Sequence, residues 1–523
     1  MTDATASPLS SPVFRALWLA TIVSNIGTWM HDVGAAWLMT SLSPSPLMVA
    51  LVQAATTFPL FLLALPAGAL ADIVDRRKVL IGAQLWTLCA AGGLAAVTLA
   101  GWTSPALLLG FTVALACGAA MSAPAFQASV PELVPRAALT QAVALNSTGV
   151  NIARAIGPAL GGVIIAAAGS GAVFALNAVS VIGVLIVLWR WRRAPGDTQL
   201  PPERFGGALA AGLRFAVRAP ALQVVLVRAL AFFLFASGLW ALLPVVARRE
   251  LGLDALGYGV LLTALGCGAV AGALLLPRIR RVVAVNALTV IAAVLFAGAT
   301  AALALAPGLA VAVPVLVAAG MAWIATMAAL NGAAQLAVPG WVKARALAIY
   351  LLVFQGSMTA GAALWGWTAL RAGTDAALFM AAAGLVVSLV AAWRFPLSAE
   401  GALDLAPSLH WGTPVTAAEI AHDRGPVLVT IEYRVDPGAV ADFARAMAPM
   451  QRVRRRDGAS GWGLYEDAAM PGLMIESFTV PSWVEHLRQH ARVTNADRTD
   501  QDAAHAFHLG PQPPVVRHWI APG

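Results

Sequence analysis

Charge is scarce in this sequence. Of its 523 residues only 11% are Asp, Glu, Lys or Arg, while 59% are hydrophobic and the mean hydropathy is +0.78. A soluble globular chain carries about 25% charged residues, so a deficit of this size over this length makes lipid the solvent of most of the chain. Cysteine is nearly absent. Cys89, Cys117 and Cys267 stand apart within apolar runs with no CxxC spacing, so no disulfide framework is implied and they read as buried packing residues. No GxxxxGK[ST] phosphate loop occurs, which argues against ATP-driven chemistry within the chain. No HExxH motif and no paired carboxylates for acid–base work occur either. The first twelve residues lack a basic segment ahead of a short apolar core, and the first apolar run is too long for a cleaved signal, so it reads as a retained span.

What charge there is divides unevenly. Residues 1–397 hold 22 Lys and Arg against 10 Asp and Glu, a net of +12, whereas residues 398–523 hold 11 against 15, a net of −4. The basic pI of about 10.2 therefore belongs to loops at a membrane surface and does not point to nucleic acid. A bilayer core needs about 20 consecutive apolar residues as helix. Twelve such stretches can be drawn: 14–40, 47–71, 79–101, 105–126, 141–168, 171–189, 221–247, 257–277, 282–306, 310–334, 345–370 and 375–395. Alternate loops carry the basic residues, namely Arg76, Arg77 and Lys78, then Arg136, then Arg190, Arg192 and Arg193, then Arg278, Arg280 and Arg281, then Lys343 and Arg345. Arg248 and Arg249, beside Glu250 and Asp254, and Arg371 near Asp375 are exceptions. Basic loops stay in the cytoplasm, so both termini are expected there.

The longest connection, 190–220, divides the spans six and six. Within it Arg204, Arg214 and Arg218 fall on one side of a helical projection, and Phe205, Leu209, Leu213 and Val217 on the other. That is the pattern of a helix lying in the membrane interface, the alternative being a loose Ala/Gly-rich linker. The halves also repeat. The segment Gln127–Val134, with Pro131 and Glu132, recurs as Gln335–Val342, with Pro339, at a shift of 208 residues; Gly68 stands before Arg76 and Arg77 as Gly272 does before Arg280 and Arg281. Two related halves are the hallmark of secondary transporters. The expected domains are a first half 1–189, a linker 190–220 with its amphipathic helix, a second half 221–397, a linker 398–425 and a soluble domain 426–523.

Residues 68–78, Gly-Ala-Leu-Ala-Asp-Ile-Val-Asp-Arg-Arg-Lys, resemble the loop signature of the major facilitator superfamily between its second and third helices. The resemblance implies a gate in which Gly68 permits close helix approach and Asp72, Arg76, Arg77 and Glu132 hold cytoplasmic contacts that break during the cycle. Asp75 stands where the family usually has Gly. Gly157-Pro158-Ala-Leu-Gly161-Gly162 resembles the antiporter motif of the fifth helix, whose glycines allow close packing and whose proline permits bending. With Asn25–Trp37 and Pro124–Pro135, residues 10–395 resemble the exporter subfamily of enterobactin-exporter-like proteins and transmembrane secretion effectors. Their substrates are small amphipathic molecules such as siderophores and drugs.

Ionisable residues inside a bilayer are costly and mark function by default. Asp32 in the first span, Arg154 in the fifth and Arg228 in the seventh are such residues, with His31 beside Asp32. They are the candidates for proton coupling in a cavity, with an Asp32–Arg154 pair either titrated during the cycle or permanently structural. The arginine that many drug antiporters carry in span four is absent from 105–126, so Arg154 takes its place or coupling differs.

Beyond a Pro/Ala-rich linker, 427–435, 460–466, 473–480 and 515–520 read as strands. A helix opens at Pro437 with Val440, Phe443, Ala444 and Met447 on one face, and 483–507 reads as a second helix. The order βαββαβ is the split-βαβ, ferredoxin-like pattern, and resembles dimeric α/β barrels related to antibiotic-biosynthesis monooxygenases, which implies a dimerisation surface. His486 and His490 at i, i+4, with His505, His508 and His518, have no carboxylate third ligand, so no metal and no cofactor are assigned. The expected fold is therefore an all-α polytopic membrane protein of twelve spans plus an α+β ferredoxin-like domain. The expected function is proton-coupled export of a small amphipathic molecule across the inner (plasma) membrane, with small-molecule substrate, protons and bilayer as partners and no enzymatic activity. The alternatives are a membrane-anchored enzyme acting through its tail, and a non-transporting regulator with a transporter fold.

Overall fold

The computed structural model describes residues 7–135, 138–191, 205–397 and 404–522 apart from 409, 412, 413, 415 and 417–419; the side chains of 65, 69, 71–73, 205–211 and 491 also lie outside the description. Arg136, Arg192, Arg193 and Arg204, and the side chains of Asp72, Phe205 and Leu209, thus fall outside it. The helices are α1 (Pro12–Leu42), α2 (Pro46–Ile73), α3 (Arg76–Leu99), α4 (Pro105–Leu133), α5 (Leu139–Arg190), α6 (Phe205–Arg218), α7 (Pro220–Val245), α8 (Ala255–Ile279), α9 (Val285–Ala304), α10 (Leu309–Leu336), α11 (Lys343–Ala372), α12 (Thr374–Val387) and α13 (Leu389–Arg394). Helix is the form an apolar chain must take in lipid, because each backbone N–H finds its acceptor within the segment. Starts are set by small polar caps and proline: Ser11 before Pro12, Ser104 before Pro105, and Asp75 and Asp254, whose carboxylates accept from the N–H of Lys78 and Gly257. Asp75, the departure from the family pattern, thus serves as the cap of α3.

Ten helical segments among the described residues are long and apolar enough to cross a membrane, against the twelve expected. Two features make the difference. Expected spans five and six run on as α5, 52 residues interrupted only at Gly169, whose φ of 76° and ψ of 171° are not helical. The first span, α1, carries Arg15, His31 and Asp32 among many hydroxyl and amide residues and is not counted among the ten. The internal repeat also parts company locally: Pro131 lies within α4, whereas α10 ends at Leu336 and Pro339 lies in the turn beyond it. Cys89 and Cys267 are exposed on the helix bundle and Cys117 is partly so, which corrects the expectation of buried packing; in lipid an apolar environment does not require burial in protein.

The chain divides into two compact units: residues 1–201, 226–331 and 350–397, and residues 202–225, 332–349 and 398–523. In the first unit glycines decide where helices touch. A methyl group at Gly157 would stand 2.5 Å from Cβ of Trp29 on α1, and one at Gly161 would stand 3.1 Å from Cα of Met30. One at Gly162 would meet the Ala255 carbonyl oxygen at 2.9 Å and Cα of Gly259 at 3.1 Å on α8. The fifth-helix motif is therefore a junction that packs α5 on α1 with one edge and on α8, in the second half, with the other. The interior of the second half is filled by Phe232, Phe233, Phe296, Trp323 and Phe354, with ring centroids 4.5–6.4 Å apart.

In the second unit the C-terminal segment forms β1 (Val427–Arg434), α14 (Val440–Arg456), β2 (Ser460–Glu466), β3 (Leu473–Val480), α15 (Trp483–Arg492), α16 (Asn495–His505) and β4 (Val515–Ile520). The sheet is antiparallel in the order β2-β3-β1-β4. Alternate residues Val427, Val429, Ile431 and Tyr433 point to one face, where they meet Phe443, Met447 and Met450 of α14; Ala444, expected there, is exposed. The single expected helix 483–507 is two helices. The break comes at Thr494, whose hydroxyl accepts from the Asp497 N–H while the Asp497 carboxylate accepts from the Thr494 N–H at 2.9 Å, a reciprocal cap that starts α16 afresh. Inside, Arg454 pairs with the fully buried Glu476 at 3.1 Å, and the Trp462 indole N–H donates to the same carboxylate at 2.9 Å.

Two outcomes follow from this packing. Gly162→Val forces β-branched bulk against the backbone of α8 and is expected to destabilise the membrane unit by about 2 kcal/mol, lowering the thermal midpoint of the detergent-solubilised chain; Gly82→Ala, at a position with open space within 4 Å, leaves it unchanged. Burial opposes the Asp497 charge, but hydrogen bonds and charge from Arg456 and the Thr494 cap more than offset it and hold the carboxyl below the usual range. Its contribution is present above the unfolded-state pKa and is lost as pH falls through the lower folded-state value. Asp497→Ala is expected to cost about 2 kcal/mol at pH 7, read as faster amide exchange over 427–520 in the intact chain, with the difference from wild type vanishing in acid.

Candidate functional site

A cavity of about 360 Å³ opens in the first half of the membrane unit, walled by α1 to α5. Its polar lining includes Asn25, Thr28 and Asp32 from α1, Gln84 from α3, and Asn146 and Asn177 from α5. Thr21, Asn25, Thr28 and Asp32 recur every three or four residues, so α1 presents one hydrophilic stripe to the cavity. Asp32 is the one charged side chain in the lining among the described residues. Three lining residues hold buried polar atoms with no hydrogen-bond partner among the described residues: Thr21 Oγ1, both ring nitrogens of His31, and Asn177 Oδ1. Buried polar atoms are nearly always paired, since leaving one unpaired costs about 1–3 kcal/mol. Several such orphans thus face one cavity.

His31 is buried, its ring 4.7 Å from that of Phe174. Asp32 and Arg154 form no ion pair among the described residues; the Arg154 guanidinium instead lies 5.5 Å above the Trp29 ring, and its Nε has no acceptor. Arg228 lies elsewhere. It donates to Asn286 Oδ1 at 2.7 Å, to Thr289 Oγ1 at 2.6 Å and to the Phe395 carbonyl at 3.2 Å, so it ties α7 to α9 and to the end of α13. The structure thus groups His31 and Asp32 at the cavity, holds Arg154 one helix away and gives Arg228 a separate place with three acceptors.

Of the expected gate residues, Arg76 bonds the Glu132 carboxylate at 2.7 Å and the Ala128 carbonyl at 3.0 Å. Arg77 donates to the carbonyls of Leu188 and Trp189, each at 2.8 Å. The two arginines bind α3 to the ends of α4 and α5, all within the first half. At Gly68 an added methyl group would meet no described atom within 4 Å, whereas one at its repeat counterpart Gly272 would stand 2.7 Å from Ile324 Cγ2 and 2.9 Å from Cα of Met321.

The opposite end of the bundle, where α1 turns into α2, is stitched between halves. Arg248 donates to Thr40 Oγ1 at 3.0 Å and to Ser41 Oγ, and its guanidinium lies 5.1 Å over Trp37. Arg249 reaches the Ser43 carbonyl at 3.4 Å, and Trp37 stacks on Tyr258 of α8 at 5.9 Å; farther along the helices, Thr57 of α2 bonds Thr359 of α11 at 2.8 Å. Arg248 and Arg249 stood out only as exceptions to loop alternation, and that exception was the available signal. The α1 stripe was legible by its spacing.

In the C-terminal domain His486 is buried, its ring 4.8 Å from that of His490 and 4.6 Å from that of His518. Burial and the neighbouring histidines lower its pKa to about 3. Among the described residues no group of three His, Cys, Asp or Glu is arranged to hold a metal ion.

The chain is 29% identical over 265 residues to the enterobactin exporter EntS of Salmonella typhi, covering 50% of this chain and 63% of that protein. It is 28% identical over 233 residues to the MFS-type transporter YfiS of Bacillus subtilis, covering 42% and 54%. The chain therefore spans less than two thirds of the length of these relatives. A bacterial homologue of the human lysosomal transporter Spinster, solved inward-facing and unoccupied, superposes with a TM-score of 0.60 over 75% of this chain and 97% of that one, at 17% identity. That likeness establishes the fold. The profile of the family described as transmembrane secretion effector matches residues 3–522, nearly the whole chain and the C-terminal domain with it. A polytopic bundle with a polar cavity and this full-length match make the protein a member of the transmembrane secretion effector family of major facilitator transporters, which is not an enzyme family.

Proposed function

We propose that the chain is a secondary-active exporter that carries a small amphipathic molecule across the inner membrane by alternating access. The observation that carries this reading is the cavity of the first half with its orphaned polar atoms and its single carboxylate. Its volume lies in the range of small-molecule sites, about 300–1,000 Å³. Apolar walls with scattered amides and hydroxyls suit a siderophore- or drug-like guest, in keeping with the enterobactin named for the similar Salmonella exporter.

Twelve spans are supported by length. A straight 52-residue helix would run about 78 Å, more than twice a hydrocarbon core of about 30 Å, so α5 crosses twice and turns at Gly169. With α1 this brings the ten spans to twelve, and the basic loops put both termini in the cytoplasm. The stitched end is then the outer one, closed, and Gly68 lies on the cytoplasmic side. Gly68, Asp72, Arg76, Arg77 and Glu132 act as the cytoplasmic gate, closing in the other access state. Asp32 carries the proton. In this state it stands apart from Arg154, and in the other state it pairs with that guanidinium. His31 lines the same path, and Arg228 steadies the second half.

The antiparallel order β2-β3-β1-β4, with helices on one face, supports a ferredoxin-like C-terminal domain. Its uncovered face bears Leu428 opposite Trp519 and Glu432 opposite Val515, with Leu428, Val515 and Trp519 39–55% exposed. That face suits the sheet of a second copy.

Cysteine labelling at Ser45, Ser170 and Gly308 is expected to report the periplasmic side, and at Lys78 and Gln501 the cytoplasm; labelling of Gln501 from outside intact cells contradicts the topology. In reconstituted vesicles Asp32→Asn is expected to reduce pH-gradient-driven accumulation of enterobactin or ethidium at least tenfold while leaving downhill exchange. Full gradient-driven transport by Asp32→Asn removes Asp32 from coupling. Asp72→Ala and Gly68→Leu are expected to slow transport with expression and thermal stability unchanged, since both act on the gate in the state not seen here.

A further inference from the structure

The second compact unit joins three segments far apart in sequence: α6 from the connection between the halves, the turn between α10 and α11, and the C-terminal domain. Their contacts are specific. Phe215 of α6 is buried and meets Trp341 of the turn edge-on at 5.9 Å. The Arg456 guanidinium lies 5.8 Å over Phe215 and that of Arg492 4.8 Å over Trp341. Arg218 donates to the Arg455 carbonyl at 2.6 Å, and Gly212 admits Cβ of Arg345, at the start of α11, within 2.9 Å of where its own methyl would be.

Both stacking arginines are held in place by the domain's own acids. Arg456 bonds Asp457 and Asp497 at 2.8–3.0 Å, and Arg492 bonds Glu485 and the Asp457 carbonyl, each at 3.1 Å. Held by these carboxylates and this carbonyl, the two guanidinium groups lie over the two rings within the distance of a cation–π contact. The opposite side of α6 keeps Leu213 and Val217 exposed, at 57% and 63%, as a helix lying on lipid requires. At 14 residues α6 is marginal as an isolated helix, so one face needs the domain and the other the bilayer.

Position in the chain gives these contacts consequence. Only Ala219 separates α6 from α7, the first helix of the second half. With α6 docked, the connection between the halves is residues 191–204, whose reach is at most about 50 Å; with α6 released it is residues 191–219, with about twice that reach. We infer that the C-terminal domain is a built-in regulator of the access equilibrium: its Arg455–Arg456–Arg492 face grips α6 and the α10–α11 turn of its own chain and shortens the tether between the halves. This rests on the alternating-access reading.

The test uses the full-length chain with Cys89, Cys117 and Cys267 replaced by serine and Gly68→Cys introduced, in inside-out vesicles. Two readouts are taken: amide exchange over 205–218, and the rate at which an impermeant maleimide labels position 68. Phe215→Ala combined with Trp341→Ala is expected to speed exchange at least tenfold and change labelling at least threefold. Arg218→Ala, an exposed position that loses only the bond to the Arg455 carbonyl, is expected to move both readouts in the same direction by less, and keeps the test open should the double variant misfold. Unchanged exchange in both variants overturns the docking. Faster exchange with wild-type labelling overturns the regulation. Labelling that responds to Asp32→Asn but not to undocking defeats this inference alone; labelling that responds to neither defeats the alternating-access reading beneath it.

Discussion

The contact between backbones at Gly162 and Gly259 is the constraint around which the membrane unit is arranged. In lipid no hydrophobic effect presses helices together, so close packing of small residues and the dispersion it allows must supply the attraction. Gly157 and Gly161 bring α1 onto one edge of α5 and Gly162 brings α8 onto the other, so a six-residue motif joins the two halves. A side chain at Gly162 would bring its Cβ within 2.9 Å of the Ala255 carbonyl oxygen, so α5 and α8 would have to shift apart. The same junction holds Trp29 and Met30 one turn or less from His31 and Asp32, and so sets the depth at which the cavity's carboxylate sits.

Two related halves have come to differ inside. The second fills its interior with five aromatic rings, and its intramembrane charge, Arg228, is matched by three acceptors. The first keeps a polar cavity with orphaned atoms on Thr21, His31 and Asn177. An unpaired buried polar atom is a standing cost, and a fold tolerates a cluster of them where a guest relieves it. Orphaned atoms also occur in the second half, on Trp240, Thr326 and Tyr350, but among the described residues they do not gather at a cavity of this size. Arg248 and Arg249 add a third element, since they cross from one half to the other at a single end of the bundle.

The C-terminal domain follows different physics. Its core is a conventional sheet-on-helix layer of Val, Ile, Phe and Met around one buried ion pair, Arg454 with Glu476. Arg456 and Arg492 are braced by neighbouring carboxylates where they lie over the aromatic rings of α6 and the α10–α11 turn. The family profile extends through this domain, so the domain belongs to the architecture of the family.

Sequence alone determined the membrane class, the helix positions to within a few residues, the glycine motif and the strands of the C-terminal domain, because each rests on local composition or on a period of two or 3.6 residues. It also singled out Asp32 and His31, since a charge within an apolar run is conspicuous. The capping box at Thr494 that divides one expected helix into two was present in the residues but weaker than the helical pattern around it. Tertiary structure alone decided that among the described residues Arg154 lies over Trp29 and does not pair with Asp32, that Arg228 is a clamp away from the cavity, that Gly272 is packed where Gly68 has no described neighbour, and that Phe215 and Trp341 meet the arginines of a domain more than a hundred residues away. Those outcomes depend on which faces of different helices meet in three dimensions, and hydrophobic periodicity in lipid carries little of that information, because nearly every face of every helix is apolar.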